Sequence, residues 1–365
     1  MGPLELNGPF RIGGSDFSRD ELLEECRCRT EAEGSGTWEG KLYRFILSLL
    51  EPGTGPILQP TSGTTGDPRV HELGRDAMVA SARRTIAFFK LKPGERCLLC
   101  LPVDYIAGKM MVVRALAGGL DLVAVEPSSR PLEGTTGKFG LCAMVPLQVH
   151  ESLKAGGDLS ATGNLLVGGG EIHSALRSRL EQLAAPAVYE SFGMTETCSH
   201  FALCRVNGPN PDPSFRLMDG VDAATDPRGC LVVNIPGITN GSVVTNDLVE
   251  LNPGADGFRW LGRADNVIST GGIKVIPELL EHTIRSLLHA DCLLVAVPDE
   301  KLGQKMVLVV EWPHPAPDTK GWELLLRQHL APHEVPGRIV TLENLPRNAS
   351  MKPDRRAARE RISLL

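Results

Sequence analysis

The chain alternates between two kinds of apolar pattern. Near the N-terminus, DELLEECRCR and KLYRFILSLL repeat apolar residues at helical spacing and predict two helices, separated by the Gly- and Glu-rich stretch TEAEGSGTWEG. From residue 75 onward helix and strand patterns take turns. RDAMVASARRTIAFF predicts a helix, RCLLCLPV a strand, residues 106–118 a helix and LDLVAVE a strand. NLLVGGG, SALRSRLEQLA and AVYESFG continue the series as strand, helix and strand to about residue 194. Such alternation favours an α/β fold with a largely parallel sheet.

The texture then changes. GCLVVNI, GSVVTNDLVEL and GFRWLGRAD are short β segments joined by Gly, Asn and Pro, the mark of a β-rich subdomain. PELLEHTIRSLLH, DCLLVAVP, KMVLVVEW and WELLLRQHLA mix helix and strand again. The expected fold is α/β. A large N-terminal domain over residues 1–263 has mixed, largely parallel sheets, a β-rich subdomain and a short peripheral N-terminal layer; a smaller, mobile α+β domain covers residues 264–365.

Composition narrows the function classes. The 365 residues are 42% hydrophobic, enough for a core in each of two domains. Lys and Arg number 38 against 44 Asp and Glu, a net charge of −6, and the basic residues are scattered. That argues against a nucleic-acid partner or a polybasic membrane surface. No stretch approaches the roughly 18–20 apolar residues of a membrane span, so stable membrane insertion is not expected. The start, MGPLELNGPFRIGGSD, lacks the basic and apolar regions of a secretory signal, which predicts a cytoplasmic protein. Homo-oligomerisation is left open. Cys26 with Cys28 and Cys97 with Cys100 are close pairs, but the second lies in an apolar run where a thiol behaves as a small hydrophobe. The histidines never join cysteine at zinc spacing, so no structural metal is expected.

Five runs carry chemistry. Gln59-Pro60-Thr61-Ser62-Gly63-Thr64-Thr65-Gly66-Asp67-Pro68-Arg69 precedes a helix starting near Arg75. It suits a loop that wraps phosphate with backbone N–H groups, hydroxyls and the Arg69 charge, and equally an ordinary Ser/Thr/Gly-rich turn. No GK[ST] closes it, so it is not a Walker A loop. Tyr189-Glu190-Ser191-Phe192-Gly193-Met194-Thr195-Glu196-Thr197 follows a strand, where α/β folds place ligands; Glu196 beside Thr195 suits a nucleotide-borne Mg²⁺, or a solvated loop. Thr245-Asn246-Asp247 offers an aspartate for the two hydroxyls of a ribose. Residues 262–278, GRADNVISTGGIKVIPE, join the β-rich region to the last domain. LPRNASMKPDR, residues 345–355, is a basic loop opening the final helix, or simply its charged cap.

In this order and approximate spacing the five runs, spanning residues 57 to 355, resemble the motifs of the adenylate-forming superfamily of acyl-CoA ligases, adenylation domains and luciferases. Within it, LPVDYIAGKMMVVRAL resembles the acid-binding segment of the branch that ligates o-succinylbenzoate to CoA in menaquinone biosynthesis: an aromatic position at Tyr105, the small pair Ala107-Gly108, and a basic residue, Arg114. The resemblance implies ATP-dependent ligation of a carboxylic acid to CoA through an acyl-adenylate, with ATP, Mg²⁺ and CoA as the small molecules handled.

The resemblance also implies residue roles. Thr61, Ser62, Gly63, Thr64, Thr65 and Gly66 cradle phosphates, while Gly169, Gly170 and Glu171 line the adenine and Phe192 stacks on it. Glu196 holds Mg²⁺; Asp247 and Arg263 reach the ribose. Lys352 is the adenylating cation, with Arg69 and Thr195 beside it in the catalytic set. Asp265 is the hinge, about which Gly271 and Gly272 move in to line the pantetheine channel, although the Gly-Gly pair also fits a plain turn. For the acid, the candidates are Tyr105, Lys109 and Arg114, the last as a fixed cation for a second carboxylate or as a surface arginine paired with an acidic neighbour.

Three positions depart from the family pattern. Arg69 stands where lysine is usual, Met351 replaces the glycine before Lys352, and Asn246 replaces the glycine of the ribose motif, a residue that can still adopt positive φ. Other readings remain: a ligase for another aromatic or aliphatic acid, an adenylation enzyme loading a carrier protein, or a degenerate nucleotide-binding regulator.

Overall fold

The computed structural model describes residues 9–34, 36–51, 53, 55–61, 69–209, 213–313, 315, 317–347 and 353–363. The chain divides into two compact units: Met1–Ala223 with Val233–Val243 and Pro253–Gly257, and Ala224–Val232 with Val244–Asn252 and Phe258–Leu365.

The first unit opens with strands β1 (Phe10–Ile12) and β2 (Ser15–Phe17) and helices α1 (Arg19–Glu33) and α2 (Trp38–Leu50). A capping box starts α1: Ser18 Oγ accepts from the Glu21 N–H and the Glu21 carboxylate from the Ser18 N–H. A separate hairpin, β3 (Ile57–Thr61) and β4 (Arg69–Leu73), leads to helix α3 (Arg75–Phe89). Then come β5 (Arg96–Leu99), α4 (Ile106–Gly118), β6 (Asp121–Ala124), β7 (Phe139–Met144), α5 (Pro146–Lys154), β8 (Thr162–Val167), α6 (Ser174–Glu181), β9 (Ala187–Gly193), β10 (His200–Arg205) and β11 (Phe215–Leu217).

Strands of this unit hydrogen-bond in the order β2-β1-β6-β5-β7-β8-β9-β10-β11. The run from β1 to β9 is parallel; β2, β10 and β11 are antiparallel additions. Cys97, Leu98 and Leu99 in β5, and Leu165, Leu166 and Val167 in β8, are all buried, as expected of parallel strands covered on both faces. Both helices expected in the N-terminal layer form, and the structure adds two strands before them: FRI and SDF make β1 and β2 at the sheet edge, and strands of three residues are too short to display alternation.

In the second unit, β12 (Asp222–Thr225), β13 (Cys230–Asn234), β14 (Ser242–Leu251) and β15 (Gly257–Arg263) hydrogen-bond in sequence, with flanking residues of β12 to β15 grouping in the first. After a 3₁₀ turn at Ala264–Asn266 follow β16 (Ile268–Thr270), β17 (Ile273–Val275), α7 (Pro277–Leu288), β18 (Cys292–Asp299), β19 (Gly303–Glu311), α8 (Thr319–His329), β20 (Arg338–Leu342) and α9 (Arg355–Ile362). Alternate residues of β18 enter two cores. Cys292 and Leu294 pack with Ile284 of α7 and Leu326 of α8; Leu293 and Val295 pack with Ala358 and Ile362 of α9. A strand with helices on both faces is apolar at every position, hence CLLVAV.

Candidate active site

The phosphate-loop candidates Ser62, Gly63, Thr64, Thr65 and Gly66 lie outside the described residues, as do Asp67 and Pro68. Thr61 and Arg69, which bracket them in sequence, are a register pair of β3 and β4, and β4 stands between the run and α3. His71, two residues further along β4, points its Nε2 at Glu196 Oε1, 3.6 Å away. This contact brings the hairpin to the second motif.

Thr195-Glu196-Thr197 forms a 3₁₀ turn just after β9. The turn is locked by Thr197, whose Oγ1 accepts from the Met194 N–H (3.1 Å) and contacts Ser199 O (2.8 Å). Glu196 is thereby presented outward, its side chain 46% exposed. Gly169, with φ +80°, and Gly170 follow β8, and Glu171 continues the same loop at the carboxyl end of a parallel strand. Phe192 is packed edge-on by Phe201 and Phe215, with ring centroids 5.7 and 5.2 Å away.

The acid segment is ordered by α4. Tyr105 caps the helix and is 64% exposed. Gly108 is required by close approach: a Cβ there would strike the Pro102 carbonyl and sit 2.8 Å from Leu101 O. Lys109 is buried and donates to Gln59 Oε1 of β3 (2.7 Å) and to Asp104 O (3.3 Å), so it ties α4 to the hairpin; burial lowers its pKa.

Arg114 is 2% exposed. Its Nη2 donates to Ser199 Oγ (2.8 Å) and lies 3.4 Å from His200 Nδ1, while Nη1 meets Met111 Sδ at 3.5 Å. Nε has no partner, and no carboxylate pairs with the guanidinium among the described residues. A surface arginine in an ion pair is therefore excluded. Burial lowers its pKa to about 10, which leaves it charged at neutral pH. His200 is held well below the ordinary histidine value by burial first and by Arg114 second, and its Nε2 contacts Thr85 Oγ1 of α3 (3.2 Å). With Nδ1 accepting from Arg114, the proton belongs on Nε2.

In the second unit, Asp247 of β14 faces Arg263 of β15 in register. Asp247 Oδ1 accepts from Trp260 Nε1 (3.1 Å) and is 3.7 Å from Arg263 Nη1. Arg263 also donates to Asp265 (2.7 Å), as does Asn246 Nδ2 (3.1 Å). Asn246 lies in an ordinary strand and is absent from the positive-φ residues, so the freedom to adopt positive φ is not used; its amide donates to Asp265 and its Oδ1 accepts from Arg228 (3.1 Å). Gly271 and Gly272, with φ +57° and +84°, form the turn between β16 and β17, and a tight hairpin turn alone accounts for both. Met351 and Lys352 lie outside the described residues; the flanking Arg347 and Pro353 form an antiparallel bridge.

Four contributors were not singled out by spacing: His71, Ser199, His200 and Trp260. Ser199 and His200 directly follow the ESFGMTETC run, the one signal available for them. Among the described residues no cluster of three or more potential metal ligands occurs.

In sequence and fold the chain matches known proteins. Residues 35–230 fit the AMP-binding enzyme family, more than half of the chain. The chain belongs to the AMP-binding enzyme family. Curated relatives include acid–CoA ligases: the probable 2-succinylbenzoate–CoA ligase of Mycobacterium tuberculosis is 30% identical over 333 residues, covering 84% of each chain, and the 2-succinylbenzoate–CoA ligase of Salmonella typhimurium is 28% identical over 315 residues, covering 82% of this chain and 67% of its own. Among solved structures, an AMP-forming acyl-CoA synthetase-like protein from Dyadobacter fermentans is 34% identical with a TM-score of 0.61, covering 92% of this chain and 97% of its own. The o-succinylbenzoate CoA synthetase of Bacillus subtilis, in complex with its acyl-adenylate intermediate, shares the fold at 16% identity, with a TM-score of 0.72 and coverage of 96% and 95%. The mixed, largely parallel α/β architecture is thus the adenylate-forming fold.

Proposed function

We propose that this chain is an ATP-dependent acid–thiol ligase that joins o-succinylbenzoate to CoA through an acyl-adenylate, releasing pyrophosphate and then AMP. The observation that carries the substrate is Arg114. A buried guanidinium without a carboxylate partner among the described residues is costly unless an anion compensates it. o-Succinylbenzoate has two carboxylates, only one of which becomes the thioester, and the second supplies that anion. Met111, in contact with Arg114, offers an apolar, polarizable surface for the aromatic ring. Tyr105, at the exposed start of α4, lines the approach, and Lys109, bonded to Gln59, positions α4.

The attacking carboxylate is ionised at pH 7, so no general base is needed. Attack on the α-phosphorus builds negative charge on the phosphate oxygens and on departing pyrophosphate. Lys352 answers that charge with its ammonium, while Arg69, Thr195, Thr61 and residues 62–66 hold the phosphates. Asp247 Oδ2, which accepts no bond among the described residues, is free to take the ribose hydroxyls, with Arg263 alongside. Gly169, Gly170, Glu171 and Phe192 form the adenine side.

Glu196 fits a Mg²⁺ carried by the nucleotide: it is a half-exposed hard oxygen donor, and a single carboxylate suits an ion held mainly by phosphates. When bound, the ion supplies charge neutralisation. Asp265 is the hinge between residues 1–263 and 264–365, and Gly271 and Gly272 meet the pantetheine arm after the swing. Among the described residues no helix is long and apolar enough to cross a membrane; we place the reaction in the cytoplasm. The test is AMP release: with o-succinylbenzoate and ATP, AMP and thioester should accumulate together only when CoA is added. Release that requires a carrier protein instead would reject CoA as the acceptor.

A further inference from the structure

The turn at Ala264–Asn266 and the start of α9, which follows Lys352 in the chain, meet at one carboxylate. Within the turn, Asp265 is tied to Asn246 and Arg263, whereas its neighbour Asn266 donates in another direction, from Nδ2 to Glu278 Oε1 (2.5 Å). The same oxygen lies 3.3 Å from Arg355 Nη2. Arg355 opens α9, directly after the Lys352 loop. The stem of that loop is closed by the Arg347–Pro353 bridge and by the Asp354 N–H on Pro346 O (2.8 Å), and Asp354 caps α9 at the Ala357 N–H (2.9 Å).

Glu278 has little freedom. It sits in the first turn of α7, its side chain is 11% exposed, and the missing Cβ of Gly262 would collide with its carboxylate. Arg355, by contrast, does not depend on it. The guanidinium forks onto buried Glu281 and donates to Leu294 O (2.8 Å), so it stays anchored without Glu278. Glu278 provides a connection from Asn266 to Arg355.

We propose that Glu278 is a positioning residue for adenylation, fixing the base of the Lys352 loop to the turn at 264–266. Its carboxylate links the hinge segment to the described stem, Pro353 to Arg355, and adenylation is the half-reaction that feels this link, since it is the one that needs the Lys352 ammonium. This rests on the reading of Lys352 as the adenylating cation. The competing role is structural: an acidic residue in the first turn of α7 stabilises that helix through its dipole.

The two roles separate when the half-reactions are measured apart, adenylation by ATP–pyrophosphate exchange and thioester formation from supplied acyl-adenylate and CoA. Glu278→Ala should lower kcat for adenylation about tenfold or more, the scale of a lost charge-assisted hydrogen bond, with KM for ATP and acid unchanged and thioester formation intact. Asn266→Ala should show the same selective loss, and the double variant should be no worse than either single one. If Glu278→Ala does not fold, Asn266→Ala carries the test. Parallel loss of both half-reactions, additive losses, or unimpaired adenylation would overturn the proposal. Lys352→Ala in the same assay keeps the failures apart. Adenylation surviving that change refutes the reading of Lys352, whereas its loss beside an unimpaired Glu278→Ala refutes only the role of Glu278.

Discussion

Arg114 concentrates the substrate question in one side chain. A charge-assisted, bidentate bond to a carboxylate in a dry site contributes on the order of 1.5–3 kcal/mol, so Arg114→Ala should raise KM for o-succinylbenzoate about 10- to 100-fold. KM for ATP should hardly change. Initial rates at varied acid and fixed ATP check this, and an unaltered acid KM would remove Arg114 from the site. His200, its neighbour, makes a pH-dependent contribution. Folding depresses the His200 pKa below the unfolded value of 6.5, so as pH falls below 6.5 the unfolded chain takes up a proton that the folded chain refuses. Stability is therefore present above pH 6.5 and lost on acidification, by at most about 1.4 kcal/mol per pH unit from this group. Urea midpoints between pH 7.5 and 5.5 should fall more steeply for the parent than for His200→Gln. Identical slopes would mean that His200 titrates normally.

Helix α4 shows how an element places a site. Its sequence bounds were legible from the apolar run between Tyr105 and the glycines at 118 and 119, and the helix ends with Gly119 at positive φ. Gly108 lets its first turn pack against the backbone of Leu101 and Pro102. Gly108→Ala should overpack that contact, costing about 1–3 kcal/mol, visible as a lower Tm and a raised acid KM. A variant with parental Tm would show that the segment yields freely. Strands β1 and β2 were not legible, since three residues carry no period. What Asn246 does was not legible either: the β14 ladder keeps it extended and turns its amide onto Asp265.

Across the whole molecule, the alternating pattern was enough to predict an α/β fold with a largely parallel sheet, because strands covered on both faces are apolar runs between amphipathic helices. Order of motifs along the chain gave the family. Contacts made by strand pairing or between distant segments were beyond reach: Trp260 meets Asp247 across the β14–β15 pair, and the side chain of His71 meets Glu196 between segments more than a hundred residues apart. No local spacing encodes such pairs. The central claim, that this fold activates o-succinylbenzoate as an adenylate, is tested most directly by acid-dependent ATP–pyrophosphate exchange on a panel of o-succinylbenzoate, benzoate, succinate and fatty acids. We predict exchange that is strongest with o-succinylbenzoate and weak with benzoate, which lacks the second carboxylate. Exchange driven equally well by benzoate or a fatty acid, or none with any acid, would contradict it.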